Sequence, residues 1–224
     1  LSSRREYTKL NPFVVLLGKG DHQINSSWTD TNDFVYATTL GISCSNITFL
    51  GAGKDTTTIL GGFCIENVEN ITIKQISVKN TSIHVSCIYM SDAKVELIDV
   101  ALEGFSDYAL SIQNSFSKTI LVATRCEFTN SSSGAVIEGG FTFATFNNCI
   151  FHDNSGNGIQ GDHNANIHLH GEETAVHSNG DDGIAAWYVT KVIIHLPSHH
   201  NTSYNNGDQD RFTYGGGTIT NVED

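Results

Sequence analysis

Three histidines near the end of the chain have a spacing that suits a metal site. His168 and His170 are two residues apart, and His195 follows His170 by 25 residues. Residues i and i+2 of a strand face the same side of a sheet, so a repeat of that length would place His195 beside them on the next strand. Imidazole nitrogens bind zinc and related divalent ions. The alternative is a solvated polar face on which neighbouring strands repeat one residue type.

A second group of residues could carry acid–base chemistry. His152 and His177 are also 25 residues apart, and Asp153 directly follows the first of them. Asp181 and Asp182 stand side by side in the string Asn-Gly-Asp-Asp-Gly-Ile. Paired carboxylates can bind Ca²⁺ or act as general acid and base, and a histidine can carry the proton. We therefore expect these five residues to be the catalytic candidates, while a tight turn alone would also explain the paired aspartates.

Candidate substrate-binding residues accompany these groups. Trp187 and Tyr188 follow the paired aspartates, and exposed aromatic rings stack on the faces of sugars. Arg125 and His168 are the polar candidates for contacts with the same ligand. The alternatives are that the aromatic residues pack under a turn and that Arg125 pairs with Glu127 or another nearby carboxylate.

An internal repeat must position these residues. Short strands with alternating apolar residues recur along the chain, separated by turns rich in Gly, Asn and Ser. Their first members are spaced by 24, 24, 25, 23, 24, 25 and 27 residues. This first set begins at Ile47, Ile71, Val95, Ile120, Phe143, Ile167, Val192 and Ile219. A second set begins at Ile76, Val100, Cys126, Cys149 and Thr174, and a third at Ile88, Leu110, Val136, Ile159, Ile184 and Phe212.

Three short strands per repeat predict an all-β solenoid. Such strands cannot bury an apolar face alone, whereas stacked rungs bury one continuous column of side chains. We predict a single-stranded right-handed parallel β-helix of about eight to nine rungs. Residues 1–11 are predicted to be an N-terminal cap or linker remnant, and residues 12–224 the β-helix domain. Asparagines recur in the turns and should bond from rung to rung. They are Asn130, Asn154, Asn179 and Asn205.

These turns resemble the repeat of the pectin lyase-like superfamily of parallel β-helices. The opening string Phe13-Val-Val-Leu-Leu-Gly-Lys-Gly-Asp-His-Gln-Ile and the string from Asn46 to Ile59 are similar to the first strands of such domains. The resemblance implies a protein that binds or modifies polysaccharides as a lyase, hydrolase or epimerase. The paired aspartates resemble those of polygalacturonases, but the Asn-Thr-Asp-Gly, Gly-His-Gly and Arg-Ile-Lys strings of that family are missing. Signatures of alginate epimerases, pectate lyases and pectinesterases are missing too.

Composition narrows the partners and the location. The 224 residues carry a net charge of −12, which argues against nucleic acid and anionic membranes. The apolar runs of the chain, such as Phe13–Leu17, are far too short to span a bilayer. Low lysine content, acidity and six N-x-S/T sequons favour a secreted glycoprotein or a protein of the cell or virion surface. The five cysteines form no C-x-x-C pair, and stacked buried thiols are preferred to a disulfide for Cys126 and Cys149.

Two functions follow from these features. The first is an extracellular carbohydrate-directed protein with a groove on its C-terminal rungs and a polysaccharide or other glycan as partner. It requires no cofactor, and Ca²⁺ or a histidine-bound divalent metal ion are the candidate ions. The second is a non-catalytic structural, adhesion or surface-fibre protein. Alternation predicts an outward apolar face through which that protein would form homo-oligomers or bind another protein. This face comprises Ile98, Leu121, Phe146, Ile150 and Ile193.

Overall fold

A computed structural model describes residues 7–29, 35–82, 85–104, 106–114, 116–196 and 202–223. The regular elements in these ranges are short β-strands, numbered in chain order. The first are β1 (Phe13–Leu16), β2 (Gly20–Gln23), β3 (Trp28–Thr29), β4 (Val35–Tyr36), β5 (Thr39–Ile42), β6 (Ile47–Leu50), β7 (Thr57–Leu60), β8 (Gly62–Glu66), β9 (Ile71–Asn80), β10 (Ile88–Ser91), β11 (Lys94–Gly104) and β12 (Leu110–Ile112). The remainder are β13 (Thr119–Thr124), β14 (Glu127–Thr129), β15 (Ala135–Glu138), β16 (Thr142–Asn147), β17 (Ile150–His152), β18 (Ile159–Asp162), β19 (Asn166–His170), β20 (Ala175–His177), β21 (Ile184–Ala186), β22 (Lys191–Leu196), β23 (Ser203–Tyr204), β24 (Arg211–Thr213) and β25 (Thr218–Glu223).

The strands form a right-handed parallel β-helix of about seven turns, which confirms the predicted fold with slightly fewer rungs than expected. One sheet of eight strands runs from β5 to β24 and forms the third face. A sheet of fifteen strands forms the other two faces, because β9 and β11 each continue around the corner between them. Every turn of the chain therefore adds one strand to each face.

A single residue makes that corner in each rung. Gln75, Asp99, Arg125 and Asn148 occupy equivalent positions between the first and second strands and have φ values of 56°, 53°, 53° and 52°. One residue in the left-handed backbone conformation interrupts the alternation of side chains and turns the chain from the first face to the second. The corner separates the outward side chains of β19 and β22 from those of β17 and β20.

The core consists of inward side chains stacked from rung to rung. Phe128 and Phe151 stack with ring centroids 4.5 Å apart, and Phe146 packs edge-on against both at 5.6 and 5.0 Å. All three side chains are completely buried. Aromatic pairs of this geometry add about 0.5–1.5 kcal/mol beyond the burial of their area.

The predicted register of the first set is wrong by one residue on two rungs. The third set is also wrong by one residue at Val136 and Phe212, because Leu110 pairs with Ala135 and Ile184 pairs with Arg211. Val95 pairs with Leu121, which pairs with Ala144, so Ile120 and Phe143 point outward. The run Thr-Ile-Leu-Val-Ala-Thr at β13 is apolar on both sides, so alternation does not identify its inward residues. Two members of the predicted outward apolar face, Leu121 and Phe146, are consequently core residues.

The rest of that predicted face is interrupted by these two inward residues. Ile98 and Ile193 are half-buried, and Ile150 is 37% exposed. Homo-oligomerisation through an outward apolar face stays a prediction.

An antiparallel pair of strands near the N-terminus was not anticipated from the repeat. Trp28 and Thr29 of β3 pair with Tyr36 and Val35 of β4. The Trp28 indole lies directly on Gly41, where a Cβ atom would stand 1.9 Å from the ring. Glycine is therefore required at that position of β5. Of the predicted cap, residues 1–6 lie outside the described residues, and the carbonyl of Tyr7 accepts a hydrogen bond from Asn46.

An asparagine ladder crosses the C-terminal rungs. The Nδ2 of Asn154 donates to Oδ1 of Asn179 at 2.8 Å, and Nδ2 of Asn179 donates to Oδ1 of Asn206 at 2.9 Å. The residue before each of these amides has positive φ: Asp153, Ser178 and Asn205, with Asn130 one rung earlier. The asparagine series predicted from the sequence therefore combined two different positions of the turn. Asn154 and Asn179 belong to the ladder, whereas Asn130 and Asn205 are the turn residues with positive φ.

All five cysteines are free thiols, and all but Cys44 are buried. Cys126 and Cys149 lie on neighbouring rungs, and burial together with their mutual contact raises the pKa of Cys149 well above its usual value. This arrangement agrees with the expected stacking of thiols. In the part of the chain that the structure describes, no helix has the length and apolar character needed to cross a membrane.

The ladder should contribute measurably to stability. Replacing Asn179 with Ala removes the acceptor of Asn154 and leaves buried polar groups unpaired, so the free energy of unfolding should fall by about 1–3 kcal/mol. Asn130→Gly is the control, because this exposed residue has positive φ and lies outside the ladder. It should change the free energy by less than about 0.5 kcal/mol. Urea denaturation of the three proteins measures both values, and equal losses would contradict the assigned role of the ladder.

Candidate functional site

A polar cleft of about 430 Å³ lies over the outward face of the second strands. Its floor is built from stacked residues of β9, β11, β14 and β17, and a loop before β7 forms one wall. Register pairs Lys79 with Glu103, Glu103 with Thr129, Thr129 with His152 and His152 with His177. Parallel stacking thus aligns charged and titratable side chains in one outward column.

His152 is held between two carboxylates. Its Nδ1 lies 2.7 Å from Oδ2 of Asp153, and its Nε2 lies 2.9 Å from Oε1 of Glu127. An ionised carboxylate only accepts hydrogen bonds, so both contacts are satisfied when both ring nitrogens carry a proton. The geometry therefore favours the imidazolium form of His152.

The pKa of His152 agrees with this geometry. Burial of the ring lowers its pKa, but the hydrogen bonds to Asp153 and Glu127 outweigh burial, so the pKa lies above the ordinary value of 6.5. For Glu127, burial raises the pKa, and the bonds from His152 and Lys54 more than reverse the effect. The contact between the two side chains thus favours the charged form of each.

His177 stacks on His152 and behaves in the opposite way. The two ring centroids are 5.4 Å apart, and the ring of Tyr204 stacks on the far side of His177 at 5.1 Å. Burial and then the positive charge of His152 lower the pKa of His177 below 6.5. Within one outward column, the charged form of one imidazole is thus favoured and that of its neighbour is disfavoured.

Two lysines complete the cleft. Lys54, in the loop before β7, binds Oε2 of Glu127 at 3.2 Å, and Lys79 binds Glu103 at 2.7 Å. Both lysines are more than one-third exposed, so these pairs contribute little to stability. They supply positive charge where a ligand with anionic or hydroxyl groups would lie.

The paired aspartates stand outside this cleft. Among the described residues that line it, neither Asp181 nor Asp182 occurs. Asp182 bonds to the turns of both neighbouring rungs. Its carboxylate accepts the backbone N–H of Gln209 at 3.1 Å, and its own backbone N–H donates to the side-chain oxygen of Asn157 at 3.0 Å. Burial, with the nearby charges of Asp208 and Asp181, raises the pKa of Asp182. The structure thus brings together His152, Asp153 and His177, and places the two aspartates in the stacked turns before β21.

The predicted aromatic platform lies at the turn after β21. Trp187 contacts Phe212 at 5.3 Å and Tyr214 at 5.6 Å, and its buried indole N–H has no hydrogen-bond partner. Tyr188 and Tyr214 meet edge-on at 5.7 Å and are 46% and 54% exposed. The exposed rings of this cluster are therefore the two tyrosines, while Trp187 packs partly beneath them.

Arg125 pairs with a carboxylate other than the one named from the sequence. Its Nε and Nη2 bind the two oxygens of Asp99 at 2.7 and 2.9 Å across adjacent corners of the helix. This bidentate bond lowers the pKa of Asp99. Among the described residues that line the cleft, Arg125 does not occur.

The three metal candidates converge on the first-strand face. His168 and His170 project outward from β19, and His195 projects from β22. Nδ1 of His168 lies 2.9 Å from Nε2 of His195. Burial and the neighbouring His195 lower the pKa of His168, which favours its neutral form. His168 therefore belongs with His170 and His195 rather than with the cleft.

Glu127 and Lys54 were missed as site residues from the sequence. Glu127 pairs with Ile150, so it reaches His152 diagonally, one rung and two residues away. The sequence signal that could have identified Glu127 was its outward position on the rung that precedes the rung of His152. Lys54 lies 73 residues from Glu127 in the sequence, and only the path of its loop places it in the cleft.

Comparison with known proteins agrees with this architecture. The model of the right-handed beta helix region matches residues 36–173, which is more than half of the chain. The chain belongs to the right-handed beta helix region family. The resemblance drawn from the turns is thereby confirmed. No curated protein sequence matches this family member significantly.

Several solved structures are similar to this family member over most of its length. A mutant pectin methylesterase in complex with a hexasaccharide is 13% identical with a TM-score of 0.50, over 99% of this chain and 86% of that chain. The pectin methylesterase of Yersinia enterocolitica is 13% identical with a TM-score of 0.45, over 99% and 91% of the two chains. The A-module of an Azotobacter vinelandii mannuronan C-5 epimerase is 11% identical with a TM-score of 0.41, over 96% and 89%. At this identity the first likeness establishes the fold alone.

The ion pair between Glu127 and His152 should give a pH-dependent contribution to stability. The raised pKa of His152 adds stability that is present below pH 6.5 and lost as the pH rises through the folded-state pKa. The lowered pKa of Glu127 adds stability that is present above pH 4.5 and lost as the pH falls through its folded-state pKa. Glu127→Gln should therefore lower the free energy of unfolding most between pH 4.5 and pH 6.5, by about 1–2 kcal/mol. The loss should be smaller at lower and at higher pH.

Denaturation by urea at a series of pH values measures this profile. Glu96→Gln, on the exposed first-strand face, is the matched control and should show a small loss without a maximum. The part of the Glu127→Gln effect that comes from Lys54 should persist above pH 7, because lysine stays charged there. A cost that does not vary between pH 4 and 8 would contradict the pairing of Glu127 with His152.

Proposed function

We propose that the protein is a carbohydrate-directed β-helix that binds a polysaccharide across its second-strand face and modifies it by acid–base chemistry. The observation that carries this proposal is the different surroundings of two stacked histidines: His152 lies between two carboxylates, whereas His177 lies between the rings of His152 and Tyr204. His152 has a raised pKa and His177 a lowered one, although both lie in the same outward column. Two titratable groups whose surroundings push their pKa values apart are the usual arrangement of a general acid and a general base.

The roles follow from the protonation states. Neutral His177 accepts a proton from the sugar or from water, and protonated His152 donates one to the leaving oxygen. Glu127 and Asp153 hold His152 in its charged form, and Lys54 limits the negative charge of Glu127 toward the ligand. A lyase takes the proton from a sugar carbon and a hydrolase takes it from water, and both protonate the leaving glycosidic oxygen. An epimerase breaks no glycosidic bond, so there the donated proton would return to the same sugar carbon.

The shape of the molecule suits a polymeric ligand. Outward side chains repeat at every rung, about 4.8 Å apart, so contacts with a chain of similar units can recur along the helix axis. A mutant pectin methylesterase of this fold was solved in complex with a hexasaccharide. The proposal includes secretion or display on a cell or virion surface, because the polysaccharide ligand that it assumes is extracellular.

A panel of neutral and uronate polysaccharides tests the function. Binding, release of reducing ends, ultraviolet absorbance of unsaturated products and C5 epimerisation are read for each polymer. We expect one polymer to be bound and turned over, with a bell-shaped pH dependence of kcat/KM centred near neutral pH. His152→Asn and His177→Asn should each lower kcat by about 10²–10⁴-fold.

His163→Asn is the matched control for these variants. His163 also contacts a neighbouring aspartate, at 3.1 Å, but lies at the end of β18 on the third face. The His163→Asn variant should leave kcat unchanged. If both site variants kept full activity, the assigned residues would be wrong. If no polymer of the panel were bound or turned over, the carbohydrate function would fail in favour of the structural or adhesion role.

A further inference from the structure

The histidines of the first-strand face form a cluster that the acid–base site does not use. His168 and His170 alternate outward on β19, and Leu169 between them is inward and pairs with Ile194 of β22. That register places His195 directly beside His170, and their ring centroids are 3.8 Å apart. The corner at Asn148 separates this face from the one that carries His152 and His177.

The donor atoms of the three rings lie close enough to share one ligand. One ring nitrogen of each histidine lies within 4.8 Å of the corresponding atoms of the other two. Nδ1 of His168 and Nε2 of His195 are 2.9 Å apart. All three residues are half-buried, so their nitrogens are shielded on the protein side and accessible from the outer side.

We propose that His168, His170 and His195 form a binding site for a divalent transition-metal ion of the zinc class. Neutral imidazoles are preferred ligands of Zn²⁺, Cu²⁺ and Ni²⁺, whereas Ca²⁺ and Mg²⁺ prefer oxygen ligands. Three protein ligands leave a fourth position open, as in zinc sites that bind water or a substrate. The site is independent of the cleft and would add a second ligand-binding function to the molecule.

Only small movements are needed for an ion to bind. Zinc–nitrogen bonds of about 2.0–2.1 Å require nitrogens that are at most about 4.2 Å apart. The three nitrogens all lie within 4.8 Å of one another. Rotation of the partly exposed imidazoles about their broad χ2 torsion brings them to the separation that one ion requires. The close contact between His168 and His195 would be replaced by two metal–nitrogen bonds.

The competing explanation is a stack of imidazoles that serves packing alone. Stacked imidazoles also occur in the pair of His152 and His177, which among the described residues is not part of a cluster of three histidines. The two explanations differ in what they predict for metal binding, because a packing stack has no affinity for Zn²⁺ that depends on all three rings.

Metal titration of the full chain, without a histidine tag and after treatment with chelator, tests the site. Calorimetry should show one Zn²⁺ per chain and no comparable binding of Ca²⁺. His195→Asn and, separately, His168→Asn should weaken Zn²⁺ binding at least about tenfold, since even the loss of an outer partner of a metal ligand costs that much. His163→Asn, which removes an exposed histidine on another face, should leave the affinity unchanged.

Two further measurements keep the outcome decisive. Circular dichroism shows whether each variant folds, and the second variant serves if one does not. Electron paramagnetic resonance of the Cu²⁺-loaded protein should show coupling to three nitrogens, and to fewer in His195→Asn. Absence of Zn²⁺ binding, or equal affinity in both variants and the wild type, would overturn the proposal whatever the polysaccharide assays show.

Discussion

In-register stacking of parallel rungs is the constraint on which the rest of the structure depends. Each rung buries its inward residues only against the rungs before and after it. The columns from Ile71 through Val95 to Leu121, and from Val78 through Leu102 to Phe128, fix that register by filling the interior. Once it is fixed, every outward side chain stands about 4.8 Å from its equivalent on the next rung. The chemistry of the surface is therefore set by which residue types share an outward column.

Sharing a column changes the behaviour of titratable groups. Two neighbouring imidazoles disfavour double protonation, so a carboxylate pair beside one of them decides which ring holds the proton. At His152 and His177 this produces opposed pKa shifts. The rings of His168, His170 and His195 converge on the first-strand face, and the proposed metal site rests on that geometry. One folding principle thus underlies both proposed sites, which lie on two faces.

The sequence predicted the architecture well and the site in part, for identifiable reasons. The repeat of about 24 residues gave the solenoid and the columns that contain His152 with His177 and His170 with His195. Register failed at Thr119–Thr124, because apolar residues on both sides of a strand leave burial to be decided by packing in the interior. Glu127 and Lys54 escaped prediction because a diagonal contact and a loop path depend on three-dimensional placement. Asn206 belongs to the ladder and Asn205 does not, because Asn205 is the residue of that turn with positive φ. The sequence alone does not show which of the two adjacent asparagines adopts that conformation.

The most direct test of the acid–base pair is a site-resolved NMR titration of the histidine rings in the wild-type protein. His152 and His177 are assigned by comparison with their Asn variants, and both pKa values are read from one sample. We expect the pKa of His152 to lie above 6.5 and that of His177 below it. Equal values, or the reverse order, would contradict the proposed acid–base pair and the stacked geometry from which it follows.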